Sequence, residues 1–133
     1  MESPRRRQKR AHRARRASSA HTAHVAKVGQ WITISGTAGF DPATGHLASL
    51  DVASQAARIL DSFAVMLDSV GSDLEHVVHV NVFLAEMSDF DAMNAAYVSR
   101  IGARRPARTV IGVRELPKPG VLVTMNLTAV TRD

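Results

Sequence analysis

The chain has 133 residues and no cysteine, and it carries 17 Lys and Arg against 12 Asp and Glu, a formal net charge of +5 at neutral pH. That length allows one domain with a real core, and the lack of cysteine excludes a disulfide framework or a thiolate metal site. Arg5, Arg6, Arg7, Lys9, Arg10, Arg13, Arg15 and Arg16 all lie in the first sixteen residues against Glu2 alone, leaving nine basic and eleven acidic residues, a net −2, for the rest; whole-surface nucleic-acid binding is therefore not suggested.

Residues 1–20 hold almost no large apolar side chain and are expected to form a disordered basic tail, with the folded domain spanning 21–133. Such a tail attracts phosphate backbones without sequence preference. The simpler readings are a plain solvated extension or a start codon placed too far upstream. It lacks the apolar face of an organellar transit peptide and the apolar stretch of a secretory signal, and no run in the chain has the length of a membrane span. The expectation is a cytoplasmic protein.

His24–Val28 and Trp31–Thr37 are predicted strands around a Gly29-Gln30 hairpin turn. Asp41-Pro42-Ala43-Thr44-Gly45 has Pro and Gly where a turn uses them. Asp51 is the predicted N-cap of a helix whose Val52, Ala56, Ile59, Leu60, Phe63, Met66, Leu67 and Val70 form one apolar stripe, stopped by Gly71. His76–Leu84 alternates as a strand, with Val78, Val80, Val82 and Leu84 on one face and Val77, His79, Asn81 and Phe83 on the other. Ser88 or Asp89 caps a second helix with Phe90, Met93, Tyr97 and Ile101 as its stripe, and Gly102 ends it. Asn94 lies near that stripe, as a solvated helix residue or as a ligand contact.

A proline-bearing loop, Arg105-Pro106-Ala107, then runs into a strand beginning at Arg108. A guanidinium held where irregular backbone becomes sheet offers a planar fork to a carboxylate; the alternative is a surface arginine in an ion pair. Arg104 and Arg105 beside it are expected to be solvated. Thr109, Ile111 and Val113 fall on one face of this strand, and Arg108, Val110, Gly112 and Arg114 on the other. Pro117 and Pro119 break it. Gly120–Val130 is the last predicted strand, with Val121, Val123, Met125, Leu127 and Ala129 on one side and Leu122, Thr124, Asn126, Thr128 and Val130 on the other.

The order β-β-α-β-α-β-β describes an α+β fold whose two amphipathic helices cover one face of a sheet. The opposite face is expected to carry Arg108, Val110, Thr124, Asn126 and Val130. That set is too apolar to be left wet and too polar for a monomer core. A subunit interface holding a polar cleft fits both properties.

Other chemistry is withheld. His76 and His79, three apart on a predicted strand, point to opposite faces and cannot share a metal. Gly36 and Gly39 stand alone, without the Lys-Ser/Thr of a phosphate loop, and no serine sits in a nucleophile elbow. Ser35-Gly36 at a strand end reads either as a plain strand end or as a hydroxyl in a cleft. No metal or cofactor is expected.

Several ordered segments resemble the RidA/YjgF family, which includes reactive-intermediate deaminases and proteins labelled L-PSP endoribonuclease or translation inhibitor. They are Val28-Gly29-Gln30 leading to Ile34-Ser35-Gly36; Asp41-Pro42-Ala43-Thr44-Gly45; Gln55-Ala56; Val82-Phe83-Leu84; Asp89-Phe90-Asp91-Ala92-Met93-Asn94-Ala95-Ala96-Tyr97; Pro106-Ala107-Arg108-Thr109; and Leu116-Pro117-Lys118. The resemblance runs from about His21 to Val130. It implies a chorismate-mutase-like α+β domain, a homotrimer, and clefts between subunits that hydrolyse enamines and imines to 2-oxo acids and ammonia without a cofactor. It implies that Arg108 grips the substrate carboxylate, that the Val110 backbone adds a second contact, and that Ser35 and Asn94 shape the cleft.

The pattern departs from the family at three places. His21-Thr22-Ala23 stands where relatives often carry a Pro-Tyr-Ser stretch, and Thr37 where the best-known members have Gln. Thr124 stands where relatives carry a glutamate that positions the attacking water, and a threonine cannot act as a carboxylate base. The expected activity is an imine/enamine deaminase of altered specificity or reduced rate, with Arg108 and Thr124 at the chemistry. The alternatives are a small-carboxylate or amino-acid binding protein without turnover and, third, an RNA-directed activity.

Overall fold

The computed structural model describes residues 24–103 and 105–133. The stretch 1–20, His21-Thr22-Ala23 and Arg104 lie outside the described residues. The elements are strand β1 (Val25–Val28), strand β2 (Trp31–Ala38), helix α1 (Val52–Asp68), strand β3 (Val77–Leu84), helix α2 (Phe90–Ile101), strand β4 (Ala107–Gly112) and strand β5 (Val123–Val130). They form a mixed sheet in the order β1-β2-β5-β3-β4, in which β3 and β4 are parallel and the other neighbours antiparallel.

The hairpin between β1 and β2 closes over two residues. Gly29 takes a φ of +60° at the first of them, a conformation any other residue would adopt with strain. Helix α1 starts where the Asp51 carboxylate accepts the Ser54 N–H at 2.9 Å. Val52, Gln55, Ala56, Ile59, Leu60, Phe63 and Leu67 are its buried stripe. At its end, Gly71 turns with φ +83° while the Ser72 N–H returns to the Leu67 carbonyl at 2.9 Å. Helix α2 buries Met93, Tyr97 and Ile101, and Gly102 closes it with φ +78°.

Both stripes pack on the sheet face formed by Ile32 and Ile34, Val80, Val82 and Leu84, and Val123, Met125, Leu127 and Ala129, all buried. Each large apolar side chain withdrawn from water there contributes about 1.5–3 kcal/mol. The expected α+β architecture is therefore present, with both helices on one face.

Gln55 is a polar residue in this stripe. Its Nε2 donates to the carbonyls of Ser49 and Gly120, each at 2.9 Å, and its Oε1 accepts the Leu122 N–H at 2.9 Å. This explains why the last strand starts at Val123 and not at Gly120 as expected: the Leu122 N–H is taken by a side chain instead of a ladder. Gly39 lies against the same residue, where an added Cβ would meet the Gln55 carbonyl oxygen at 2.7 Å and its Cα at 2.8 Å. Gly39→Ala should lower unfolding stability by about 2 kcal/mol, as overpacking against backbone does. A denaturant midpoint unchanged from the parent would contradict this contact.

Two face assignments need correction. In β3, Val77 is buried and Val78 is 43% exposed, the reverse of the expected alternation. The register shifts between Val77 (opposite Ala129) and His79 (opposite Thr128), so Val78 is the extra residue of a bulge. The alternation of Val80, Val82 and Leu84 resumes after it. The second correction concerns β4. Arg108 pairs with Val80 and Val110 with Val82, and both partners point into the helix-covered core. Arg108 and Val110 thus share the helix face, whereas Thr124, opposite Phe83 and two residues from Asn126, lies on the open face. Alternation tells which residues of a strand go together, not which set meets the helices. An edge strand tolerates an arginine on the covered side because the stem packs inward while the head reaches the rim.

Candidate active site

Pro106 precedes β4 and supplies no N–H, and Arg108 is the first long polar side chain of the strand. Helix α2 meets it with Phe90, Asn94 and Tyr97, spaced at i, i+4 and i+7 on one helix face. Arg108 Nη1 donates to Asn94 Oδ1 at 2.7 Å. Its Cζ lies 4.6 Å from the centroid of the Tyr97 ring and 5.7 Å from that of Phe90. Arg108 is half-buried, with the two aromatic rings beside its guanidinium. Arginine has five N–H donors, and among the described residues only the Nη1 bond to Asn94 is made. A planar, partly desolvated cation with donors to spare suits a carboxylate. Arg105 is exposed and takes no part.

Val110 packs its side chain against the core. Its backbone is placed by a neighbour: the Val113 N–H donates to the Leu84 carbonyl at 2.9 Å. The two-residue period of a strand then turns the Ile111 and Thr109 amides toward β3 and the Val110 amide outward, along the edge that no other strand covers among the described residues. A donor therefore stands two residues from Arg108 on the same strand.

Ser35 and Thr124 sit elsewhere. Ser35 is exposed at a second bulge, where the register with β5 shifts between Ile34 (opposite Leu127) and Thr37 (opposite Met125). Thr37 Oγ1 donates to the Ser35 carbonyl at 2.9 Å. Ser35 and Gly36 line a groove with Thr33, Asn126 and Thr128. Gly36 also borders a cavity of about 560 Å³ walled by Thr37, Phe40, Met66, Lys118 and Thr124. Lys118 Nζ rests 5.1 Å from the Phe40 ring centroid.

The expected site residues thus fall into two groups. Arg108, Asn94 and Val110 gather at the β4 edge on the helix face. Ser35 and Thr124 gather around Gly36, with Thr124 on the open face and β3 lying between its strand and β4. One chain does not turn the two groups toward each other. Helical periodicity gives Phe90 and Tyr97 only as part of an apolar stripe; their spacing from Asn94 is the signal that they also flank the arginine.

The histidines stay apart. His76 ends a short turn, its Nδ1 2.7 Å from Asp73 Oδ1, and His79 Nε2 lies 3.3 Å from Thr109 Oγ1 on the open face. The turn at His76 and the bulge after it, not strand alternation, separate them. Among the described residues no helix is long and apolar enough to cross a membrane.

The family model described as Endoribonuclease L-PSP matches residues 12–131. A RutC family protein of Pyrococcus abyssi is 36% identical over 103 residues, 77% of this chain and 80% of that protein. The human 2-iminobutanoate/2-iminopropanoate deaminase is 37% identical over 91 residues, 68% of this chain and 66% of that protein. The crystal structure of RidA from an Antarctic Psychrobacter superposes with a TM-score of 0.76 at 33% identity, covering 80% of this chain and 85% of that one. The order of strands and helices, the Arg108–Asn94 pair and these likenesses lead to one conclusion: the chain belongs to the RidA/YjgF family, the family of the endoribonuclease L-PSP model.

Proposed function

We propose that the protein hydrolyses small 2-imino acids, with 2-iminobutanoate and 2-iminopropanoate as the substrate class, to 2-oxo acids and ammonia. The observation that carries this is the Arg108 guanidinium, fixed by Asn94 at 2.7 Å yet with donors left over. Relatives named for this deaminase activity support the choice of reaction. Arg108 grips the carboxylate with two parallel N–H bonds, and the Val110 amide adds a third. The imine carbon is then presented to a water held by a hydroxyl. Water oxygen bonds to that carbon while a proton passes to nitrogen. The resulting aminol collapses: the C–N bond breaks, C=O forms, and ammonia leaves. An imine is reactive by itself, so anchoring and orientation supply much of the acceleration needed.

The hydroxyl in this scheme is Thr124, with Ser35 in the adjoining groove beyond Gly36. Because these lie on the open face and Arg108 on the helix face, the working cleft is built from two copies, in a trimer with three such clefts. Trp31 and Ile111, 58% and 46% exposed on the open face, favour its being covered. A second reading, a carboxylate-binding protein without turnover, is favoured by one observation: Thr124 offers no carboxylate where a general base would stand.

The test is ammonia release from freshly generated 2-iminobutanoate. Release faster than in buffer supports the deaminase. Saturable binding of 2-oxobutanoate without faster release supports the binder. Neither effect sinks both readings.

A further inference from the structure

We propose that Tyr97 is the positioning residue of Arg108, and that it acts through the face of its ring and not through its hydroxyl. The inference rests on the reading of Arg108 as the carboxylate anchor and adds what makes that anchor rigid.

The geometry is a hinge and a stop. Asn94 holds the guanidinium by one nitrogen, Nη1, at 2.7 Å. A single hydrogen bond leaves the plane free to swing about that contact. Bidentate capture of a carboxylate requires the plane itself to be fixed, since both N–H bonds must lie in it. The Tyr97 ring, 4.6 Å from Cζ, removes the swing by stacking beneath the cation. Phe90 at 5.7 Å is the looser wall. All three side chains come from one face of α2, so a single rigid helix sets hinge and stop together.

The hydroxyl contributes nothing to this. Tyr97 is 5% exposed, and its Oη is buried without a hydrogen-bond partner among the described residues. A buried, unpartnered hydroxyl is a net cost. Burial also pushes the phenol's pKa up, against a smaller downward pull from Arg108, which keeps the group neutral. Tyr97 is therefore not an ion-pair partner of the arginine. What remains is the ring.

The experiment uses the full chain, with 2-oxobutanoate as probe in titration calorimetry and 2-iminobutanoate for turnover. Tyr97→Phe keeps Kd and KM within about twofold, because the ring is retained, and its thermal midpoint is equal or higher. Tyr97→Leu raises Kd and KM by about tenfold with kcat held. Should Tyr97→Leu fail to fold, Tyr97→Met, unbranched and able to fill the core, carries the same expectation. Ile101→Val, one turn further along the same buried stripe, lowers the thermal midpoint but leaves Kd unchanged, which separates lost positioning from lost stability. Parental affinity in Tyr97→Leu, or a loss in Tyr97→Phe as large as in Tyr97→Leu, overturns the role of the ring even where Arg108→Ala abolishes binding. Parental affinity in Arg108→Ala, or no saturable binding by the unmodified chain, removes the anchor itself and this inference with it.

Discussion

Arg108→Ala should weaken 2-oxobutanoate binding by about a hundredfold or more and remove turnover with it, while the fold survives. The size follows from the environment. A carboxylate docked at a guanidinium already backed by the Tyr97 ring meets its partner in a partly desolvated place, where a charge-assisted pair is stronger than on an open surface. The fold survives because Arg108 is half-buried at an edge strand and, among the described residues, pairs with no carboxylate. Its loss leaves Asn94 Oδ1 to be met by water and strands no buried charge. Arg108→Lys should recover part of the affinity and no more, since an ammonium is a point charge without a fork. Arg105→Ala, at an exposed position three residues earlier, should be silent. Titration calorimetry on the four proteins settles the matter. Equal losses from Arg105→Ala and Arg108→Ala would describe a diffuse basic patch, and the anchor would be abandoned.

Much of the scaffold beneath this arginine was legible in the sequence, and the reason is periodicity. Val52, Ala56, Ile59, Leu60, Phe63 and Leu67 repeat at helical spacing over four turns, a signal that tertiary contacts reinforce. The glycines at 29, 71 and 102 marked turns and helix ends because their backbone takes positive φ there. What periodicity does not carry is choice between two faces or contact across the chain. The bulge at Val78 reversed the start of β3, since one extra residue flips every side chain before it relative to those after it. Alternation groups Arg108 with Val110 but does not say which face that pair takes, and only the pairing with Val80 puts it under the helices. The bridge from Gln55 to Gly120 and Leu122 spans 65 and 67 residues and has no local signature at all. Asn94 and Arg108 were each singled out from the sequence, for different reasons; that they touch is a property of α2 packing over β4.

The separation of the site residues into two groups changes what Thr124 is asked to do. On one chain, Thr124 and Arg108 lie on opposite sides of the sheet, so no substrate gripped by that arginine reaches that threonine. The proposed reaction therefore needs the open face of one copy set beside the β4 edge of another. Ser35 and Thr37 would travel with Thr124, and the Val110 amide with Arg108. This arrangement makes a prediction about mixtures of chains that a cleft within one chain does not make.

Thr124→Glu should raise the turnover of 2-iminobutanoate by about a hundredfold if the protein is a slow deaminase, because a placed carboxylate both orients water and accepts its proton. Thr124→Val should lower turnover by removing the water's partner. In a binder without chemistry both variants stay at the uncatalysed rate, and the new carboxylate weakens 2-oxobutanoate binding by like charge. The mixture then locates the cleft. A chain carrying both Arg108→Ala and Thr124→Glu has no anchor and should be inactive alone. Co-expressed with the unmodified chain, it should form mixed assemblies in which an intact Arg108 from one copy faces the introduced carboxylate of the other. Turnover per intact Arg108 should then exceed that of the unmodified protein. Turnover that merely equals the sum of the separate proteins would place the cleft within one chain. Light scattering that shows a monomer at micromolar concentration would remove the shared cleft outright, and with it the part assigned to Thr124.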